Sequence, residues 1–173
     1  KSKVNWHFPR TDIAENILSL FDSGSTSAIT VFAPRRMGKT EMLLDDLWPM
    51  AASSGYDVRY VSFWLDKQNP SGIFLEALKS PYDVDSIKAK IQLPILSFEA
   101  NKTTASSTIQ QIGDEFQRLC KGKRRLLLLL DEVQELAIHQ GNETFVASLR
   151  TLLDTNKTKV HVVFTGSSRE GLI

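Results

Sequence analysis

The chain has almost no cysteine: Cys120 is the single one in 173 residues. A disulfide framework is thereby excluded, and so is a thiolate metal cluster. A reducing, cytoplasmic setting is the expectation that follows, with Cys120 as a small buried apolar residue. Histidine is scarce as well. His7, His139 and His161 lie far apart without metal-ligand spacing, so structural or surface roles are expected. Long apolar runs are missing: the longest, Leu126 to Leu130, has the length of a strand, and none is long enough to span a bilayer. The N-terminal Lys1-Ser2-Lys3-Val4-Asn5 is charged but leads into no apolar stretch of the signal-peptide kind. Internal repeats and low-complexity tracts are absent. Net charge is small too, +1 from 21 Lys+Arg and 20 Asp+Glu. That balance gives no support to a nucleic-acid partner, and no membrane partner is expected.

What is present suits one domain with a proper core: 42% of the residues are hydrophobic and 24% are charged. Asp12 has the chemistry of an N-cap, with Glu15 as its capping-box partner, and Ile13, Ile17, Leu20 and Phe21 follow at helical spacing. Ala28 to Phe32 predicts a buried strand, Ala33 to Gly38 a loop, and Lys39 the start of a helix carrying Met42, Leu43, Leu47 and Trp48 inward. Pro49 is expected to kink or end that helix. Val58 to Leu65 predicts a second strand and Gly72 to Lys79 a short helix. Pro81 to Thr104 reads as an insertion, with a helix near Ser86 to Lys90 and an extended piece near Gln92 to Phe98. Ser106 to Lys121 is amphipathic through Ile109, Ile112, Phe116 and Leu119, and Gly122 stops it. Arg125 to Leu130 is a third strand, apolar enough to be buried on both faces. A helix over Glu143 to Leu153 and a strand over Val160 to Thr165 complete the pattern. Strands alternating with helices argue for an α/β domain with a mainly parallel sheet.

Ala33-Pro34-Arg35-Arg36-Met37-Gly38-Lys39-Thr40 matches the phosphate-loop pattern known as Walker A, except that alanine replaces its first glycine. It stands between a strand and a helix, as such a loop must. Successive backbone N–H groups of such a loop point into one cavity and hold phosphate oxygens, and the following helix adds its positive dipole end. The implied ligand is ATP with Mg2+. Lys39 would reach the β- and γ-phosphates, and the Thr40 hydroxyl would ligate the magnesium. Ala33 is compatible with the turn if its φ stays negative. Arg35 and Arg36 are either phosphate or partner contacts or solvated loop charges. Glu41 is grouped with the loop as a nucleotide-binding residue.

The third strand delivers two acids, Asp131 and Glu132, at its C-terminal end, which is the Walker B arrangement over residues 126–132. Ligands of parallel α/β sheets bind off that end. Asp131 is the second candidate magnesium residue and Glu132 the candidate general base that polarises the attacking water. Gln134 and Glu135 are expected to be exposed polar residues at a helix start. On the fourth strand, residues 160–168, Thr165 and Ser167 are candidates for a sensor that hydrogen-bonds the attacking water or the γ-phosphate. The other reading of Thr165-Gly166-Ser167-Ser168 is a polar turn. Arg169 is a candidate contact to phosphate or to a neighbouring subunit.

With these segments placed, the chain resembles the archaeal-type ATPase family, on the AAA+ and signal-transduction side of the P-loop class. The matching text is His7-Phe8-Pro9-Arg10, the loop Ala33 to Thr40, Leu130-Asp131-Glu132-Val133-Gln134-Glu135-Leu136, and Thr165-Gly166-Ser167-Ser168. The resemblance implies a three-layer P-loop sandwich. It places the phosphate-loop strand beside the sensor strand, then the acid-bearing strand, then the second strand. Phe8 and Arg10 carry an implied adenine-side role, although Pro9 stands where the family usually has glycine. Proteins of this kind continue into a fifth core strand, a helical lid and an effector domain, so residues 1–173 are expected to be one ATPase core from a longer protein, slow in hydrolysis by itself. The expected activity is hydrolysis of ATP to drive or switch a larger assembly, through an oligomer or a protein partner. The alternatives are a nucleotide-dependent switch or scaffold with little hydrolysis, and a DNA-handling ATPase of a replication or mobile-element system.

Overall fold

A computed structural model describes residues 10–34, 37–80, 83–92 and 105–168. Helix α1 covers Thr11–Asp22 and leads into strand β1, Ala28–Pro34. A short helix α2, Lys39–Glu41, runs through a π-helical segment, Met42–Leu47, into α3, Trp48–Ser53. Then come β2 (Asp57–Ser62), α4 (Pro70–Lys79), α5 (Val84–Gln92), α6 (Ala105–Cys120) and β3 (Leu126–Asp131). The chain continues through α7 (Gln134–Ile138) and α8 (Glu143–Thr155) into β4, Val160–Ser168. The strands form one sheet in the order β1-β4-β3-β2, and each pairing is parallel. This is the order that the family resemblance implies.

Strand β3 explains the layering. Its residues point alternately to the two faces of the sheet. Leu127 and Leu129 join a cluster with Ile17, Phe21, Leu43, Leu47 and Ile87, beneath α1, the helix after the loop, and α5. Leu126, Leu128 and Leu130 join the opposite cluster with Phe74, Ile112, Phe116 and Leu149, beneath α4, α6 and α8. The two clusters are the two interfaces of a three-layer sandwich. A leucine buried this way contributes about 1.5–3 kcal/mol through removal of apolar area from water. Strand β1 is at one edge of the sheet, and its residues alternate between exposed and half-buried.

Several local expectations need correction. The N-cap of α1 is Arg10, without a side-chain cap, and Asp12 lies inside the first turn. The buried stripe of α1 is Ala14, Ile17, Leu18 and Phe21, whereas Ile13 and Leu20 are exposed. Pro49 does not end its helix. The Trp48 N–H bonds five residues back to the Leu43 carbonyl. A proline has no N–H to give and its ring crowds the carbonyl four residues earlier, so a widened turn admits it and the helix runs on to Ser53. Strand β2 stops at Ser62 rather than Leu65, and α4 starts earlier, at Pro70, where Asn69 accepts the Gly72 N–H. Helix α5 reaches Gln92, so that residue is not extended; residues 93–98 of the expected extended piece lie outside the described residues. Cys120 is half-buried at the end of α6.

His161 on β4 is buried, and neither ring nitrogen has a hydrogen-bond partner among the described residues. Its ring stacks on Phe21 at 4.9 Å and meets the Tyr56 ring edge-on. Burial pushes its pKa below the ordinary value; the Arg125 charge adds to this and Asp22 opposes it. A depressed histidine pKa means that the unfolded chain binds the proton more readily. The stability from neutral His161 is therefore complete above the unfolded value, about 6.5, and is lost as pH falls toward the folded one. Thermal melts from pH 7.5 to 5.5 should show falling stability in the wild type, at up to about 1.4 kcal/mol per pH unit from this one proton. The His161→Phe variant should flatten that slope.

Candidate functional site

Each strand pairing is parallel, so the C-terminal ends meet at one edge of the sheet, and there Lys39, Thr40, Asp131, Glu132, Thr165 and Ser167 come together. Ala33 and Pro34 end β1, paired with Ser167 and Ser168 of β4. Ala33 has no positive φ: among the described residues other than glycine, that conformation belongs to Glu132. Gly38 has φ 75° and caps α2, and its carbonyl accepts the Met42 N–H at 2.9 Å. Lys39 is buried, 6% exposed. Its ammonium donates to the carbonyls of Ala33 (3.0 Å) and Pro34 (3.3 Å) and to Ser167 Oγ (3.4 Å). The lysine thus folds back onto its own loop. The Arg10 guanidinium lies over Gly38, near enough that a Cβ added there would be 3.4 Å from Nη2. The Arg10 N–H donates to Asp46 of the π-helical segment. Met37 and Glu41 are exposed beside the loop. Phe8, Arg35, Arg36 and Arg169 lie outside the described residues.

Asp131 is 1% exposed and collects four donors. Oδ2 accepts from the Thr40 hydroxyl at 2.7 Å and from the Tyr60 hydroxyl at 2.7 Å. Oδ1 accepts from the Thr165 hydroxyl at 2.5 Å and from the Glu132 N–H at 3.1 Å. Burial, then the neighbouring Asp131 charge and hydrogen bond, push the Tyr60 phenol well above its usual pKa, so it remains a proton donor. Thr165 is fully buried and gives its hydroxyl to Asp131, so it does not face the cavity. The β4 residue lining the cavity is Ser167.

The next acid is strained. Glu132 has φ 57°, a left-handed conformation that costs about 1–2 kcal/mol in a residue with a Cβ. Its carboxylate accepts from Ser167 Oγ, 3.3 Å from each oxygen, and from the Gln134 side-chain amide. The Gln134 carbonyl oxygen in turn accepts the Ser167 N–H at 3.2 Å. Gln134 is therefore part of the site rather than an exposed helix-start residue. Glu135 is not exposed either: it is 4% exposed, 3.0 Å from His139 Nε2 and 3.9 Å from the Lys67 ammonium. Helix α7 starts so soon after β3 that its first turn packs back against the sheet edge. That close return is a tertiary effect with no local sequence signature. Tyr60 was legible in principle, because a phenol in a buried strand usually needs a partner for its hydroxyl.

These groups line a cavity of about 490 Å³ that includes Lys39, Thr40, Tyr60, Asp131, Glu132 and Ser167. Trp64, 45% exposed, stands at its margin, with the Lys67 ammonium 3.6 Å above its ring. A larger groove of about 730 Å³ runs along α8 and β4 on the other side of the sheet edge; it contains none of the loop residues and neither acid of the pair. The donor set at the smaller cavity fits magnesium. That cation takes hard oxygens, usually one or two carboxylates plus substrate phosphates rather than an all-protein cage. The Thr40 hydroxyl and Asp131 carboxylate converge as such a pair. Among the described residues no cluster of three or more His, Cys, Asp or Glu could hold a metal ion unaided.

A parallel sheet with a strand-to-helix glycine-lysine-threonine loop and two acids at the end of the strand next but one defines a P-loop nucleotide-binding domain. The model of a family described as an ATPase domain predominantly from Archaea matches residues 8–173, and the chain belongs to that family. Its match to that model makes it an ATPase-family domain of the P-loop fold. No curated protein matches it in sequence. Its fold is that of the ORC2 protein of Aeropyrum pernix, solved as ADPNP-ADP complexes, with TM-score 0.56 at 15% identity over 95% of this chain and 44% of that one. The Aeropyrum pernix ORC1 protein in complex with DNA gives TM-score 0.59 at 16% identity, over 94% of this chain and 40% of that one. A Walker-type ATPase of Pyrococcus abyssi gives 0.54 at 15% identity, over 96% and 47%. The chain thus spans less than half the length of each. Among the described residues no helix is long and apolar enough to cross a membrane.

The loop geometry makes one requirement testable. A Cβ at Gly38 would be strained at φ 75° whatever the space, and would lie in van der Waals contact with Arg10. Gly38→Ala should lower stability by about 1–2 kcal/mol in chemical denaturation. Gly55→Ala, with a Cβ in open space at φ 90°, should cost a similar amount. Only the first should also weaken ATP binding.

Proposed function

We propose that this domain binds ATP with magnesium and hydrolyses it slowly, in the service of a larger assembly. The observation that carries the reading is the convergence of Lys39, Thr40, Asp131, Glu132 and Ser167 on one cavity at the strand ends. Residues 33–41 would hold the phosphates, with the Lys39 ammonium moving from its loop carbonyls to the β- and γ-oxygens. Thr40 and Asp131 would hold the magnesium ion, which supplies charge neutralisation at the phosphates when bound. Glu132 would accept the proton of the attacking water. Thr165 would act through Asp131, whose orientation its hydroxyl fixes. Arg10 is placed to cover the loop, and with Phe8 it would border the adenine side. A cytoplasmic location accords with the nucleotide and with the near absence of cysteine.

One observation favours the switch reading beside the hydrolytic one. The Glu132 carboxylate is already engaged by Ser167 and Gln134, which lowers its availability as a base. A domain that keeps its base so engaged is suited to slow turnover. Protein or subunit partners would then supply what accelerates it, and a DNA effect on turnover is the discriminating outcome for a DNA-handling role.

Two variants test the assignment. Lys39→Ala should abolish ATP binding in calorimetry, and it should also lower the stability of the free protein, because its ammonium holds two loop carbonyls. Unchanged ATP affinity would refute the phosphate-loop reading. Glu132→Gln should retain ATP-magnesium binding and slow single-turnover hydrolysis by about 10²–10⁴-fold. A wild-type rate in that variant would move the base elsewhere.

A further inference from the structure

We propose that Tyr60 is a positioning residue for the nucleotide's divalent cation, because its hydroxyl fixes the direction in which Asp131 Oδ2 faces Thr40. The inference rests on the nucleotide-site reading above and adds to it a residue from a strand outside the loop and the acid pair. Tyr60 is on β2, opposite Leu129 of β3, and two residues farther on Ser62 stands opposite Asp131. Tyr60 is 7% exposed, and its ring is held in the core on the face of Leu129, Leu43 and Ile87. From there the phenol reaches along the sheet to the strand end, where it meets Asp131 Oδ2 at 2.7 Å.

The argument is one of rotation. A carboxylate turns about two side-chain bonds, and each oxygen needs a fixed donor if a lone pair is to stay aimed at one place. Thr165 and the Glu132 N–H hold Oδ1. Thr40 and Tyr60 hold Oδ2. Thr40 has a second role: its hydroxyl can turn a lone pair to the cation while it donates its proton to Oδ2, so its position must also satisfy the cation. Tyr60 has no such competing duty and is locked by the sheet. It is therefore the donor that keeps Oδ2 in place when the cation arrives. Donors of this outer kind are worth about 10–100-fold in metal affinity elsewhere. A phenol on Oδ2 also draws some negative charge from it, which by itself would weaken cation binding. In a carboxylate this buried the orientation effect is the larger, because a turned Oδ2 has no water shell through which to reach the ion.

The test is ATP affinity of the wild type and Tyr60→Phe by calorimetry, each in excess MgCl2 and in EDTA. Loss of the hydroxyl should weaken binding in magnesium by about 10-fold or more and leave the EDTA affinity unchanged. Equal weakening in both arms would make Tyr60 a merely structural residue and overturn the proposal. Unchanged or tighter binding in magnesium would overturn it too. A melt reports whether the variant folds, and Tyr60→Met, apolar and of similar length, serves in its place if it does not. A wild type that binds ATP equally in magnesium and EDTA would instead remove the cation reading beneath the proposal. A wild type that binds in neither would remove the nucleotide reading, and these results separate the failures.

Discussion

A carboxylate with almost no solvent exposure needs donors, and the way Asp131 obtains them organises this molecule. Its four partners come from the helix after the loop, from β2, from β4 and from the next residue of its own chain. An unpaired buried charge costs several kcal/mol, so each partner is under pressure to stay. Three strands and the phosphate-loop helix are thereby held in register at one point. The leucines of β3 fix the layers below, yet apolar packing is indifferent to direction and cannot set the strand ends to within a hydrogen bond. The carboxylate supplies that directional constraint.

The same constraint explains the conformation of Glu132. A left-handed φ in a residue with a side chain is held only when its surroundings over-determine it. Here the Glu132 N–H is tied to Asp131 Oδ1, while its carboxylate is tied to Ser167 and Gln134. The chain must also turn sharply after β3 so that α7 can return against the sheet edge, where the Val133 N–H bonds to the Thr165 carbonyl at 3.0 Å. The strain thus has two sources of compensation, one at each side of the peptide.

Much of the fold was legible because it follows from periodicity. The five-leucine run on β3 could only be a strand buried on both faces, and alternating strands and helices could only give a mainly parallel sheet. The meeting of Lys39 and Thr40 with Asp131 and Glu132 was legible because a strand-to-helix loop and the end of a parallel strand come together at one edge of the sheet. What escaped were the residues whose role depends on distant neighbours. Gln134 and Glu135 have the polarity of an exposed helix start, and only the close return of α7 buries them. Thr165 was legible as a polar residue at a strand tip, but Ser167, on the same face and two residues nearer the strand end, is the one that meets the cavity. Pro49 reads as a helix end until a π-helical segment widens the turn ahead of it.

The level at which each strand changes character is the feature that joins these results. On β2 the change falls between Val61 and Ser62, on β3 between Leu130 and Asp131, and on β4 between Phe164 and Thr165. The register pairs Ser62 with Asp131 and Leu130 with Phe164, so the three changes lie in one line across the sheet. Below that line the sheet packs on two apolar clusters, interrupted by the buried Arg59 and His161. Above it polar side chains of the site bond one another. Lys39 bonds Ser167, Ser167 bonds Glu132, and Thr40 bonds Asp131. Charges at the boundary of a dry interior interact more strongly than they would in water. A phosphate entering this cavity would therefore meet an ammonium and hydroxyls already bound to protein oxygens, and would have to displace those bonds rather than water alone. Each such exchange reaches an acid within one or two hydrogen bonds, so occupation of the loop and the placement of Asp131 and Glu132 are not independent events.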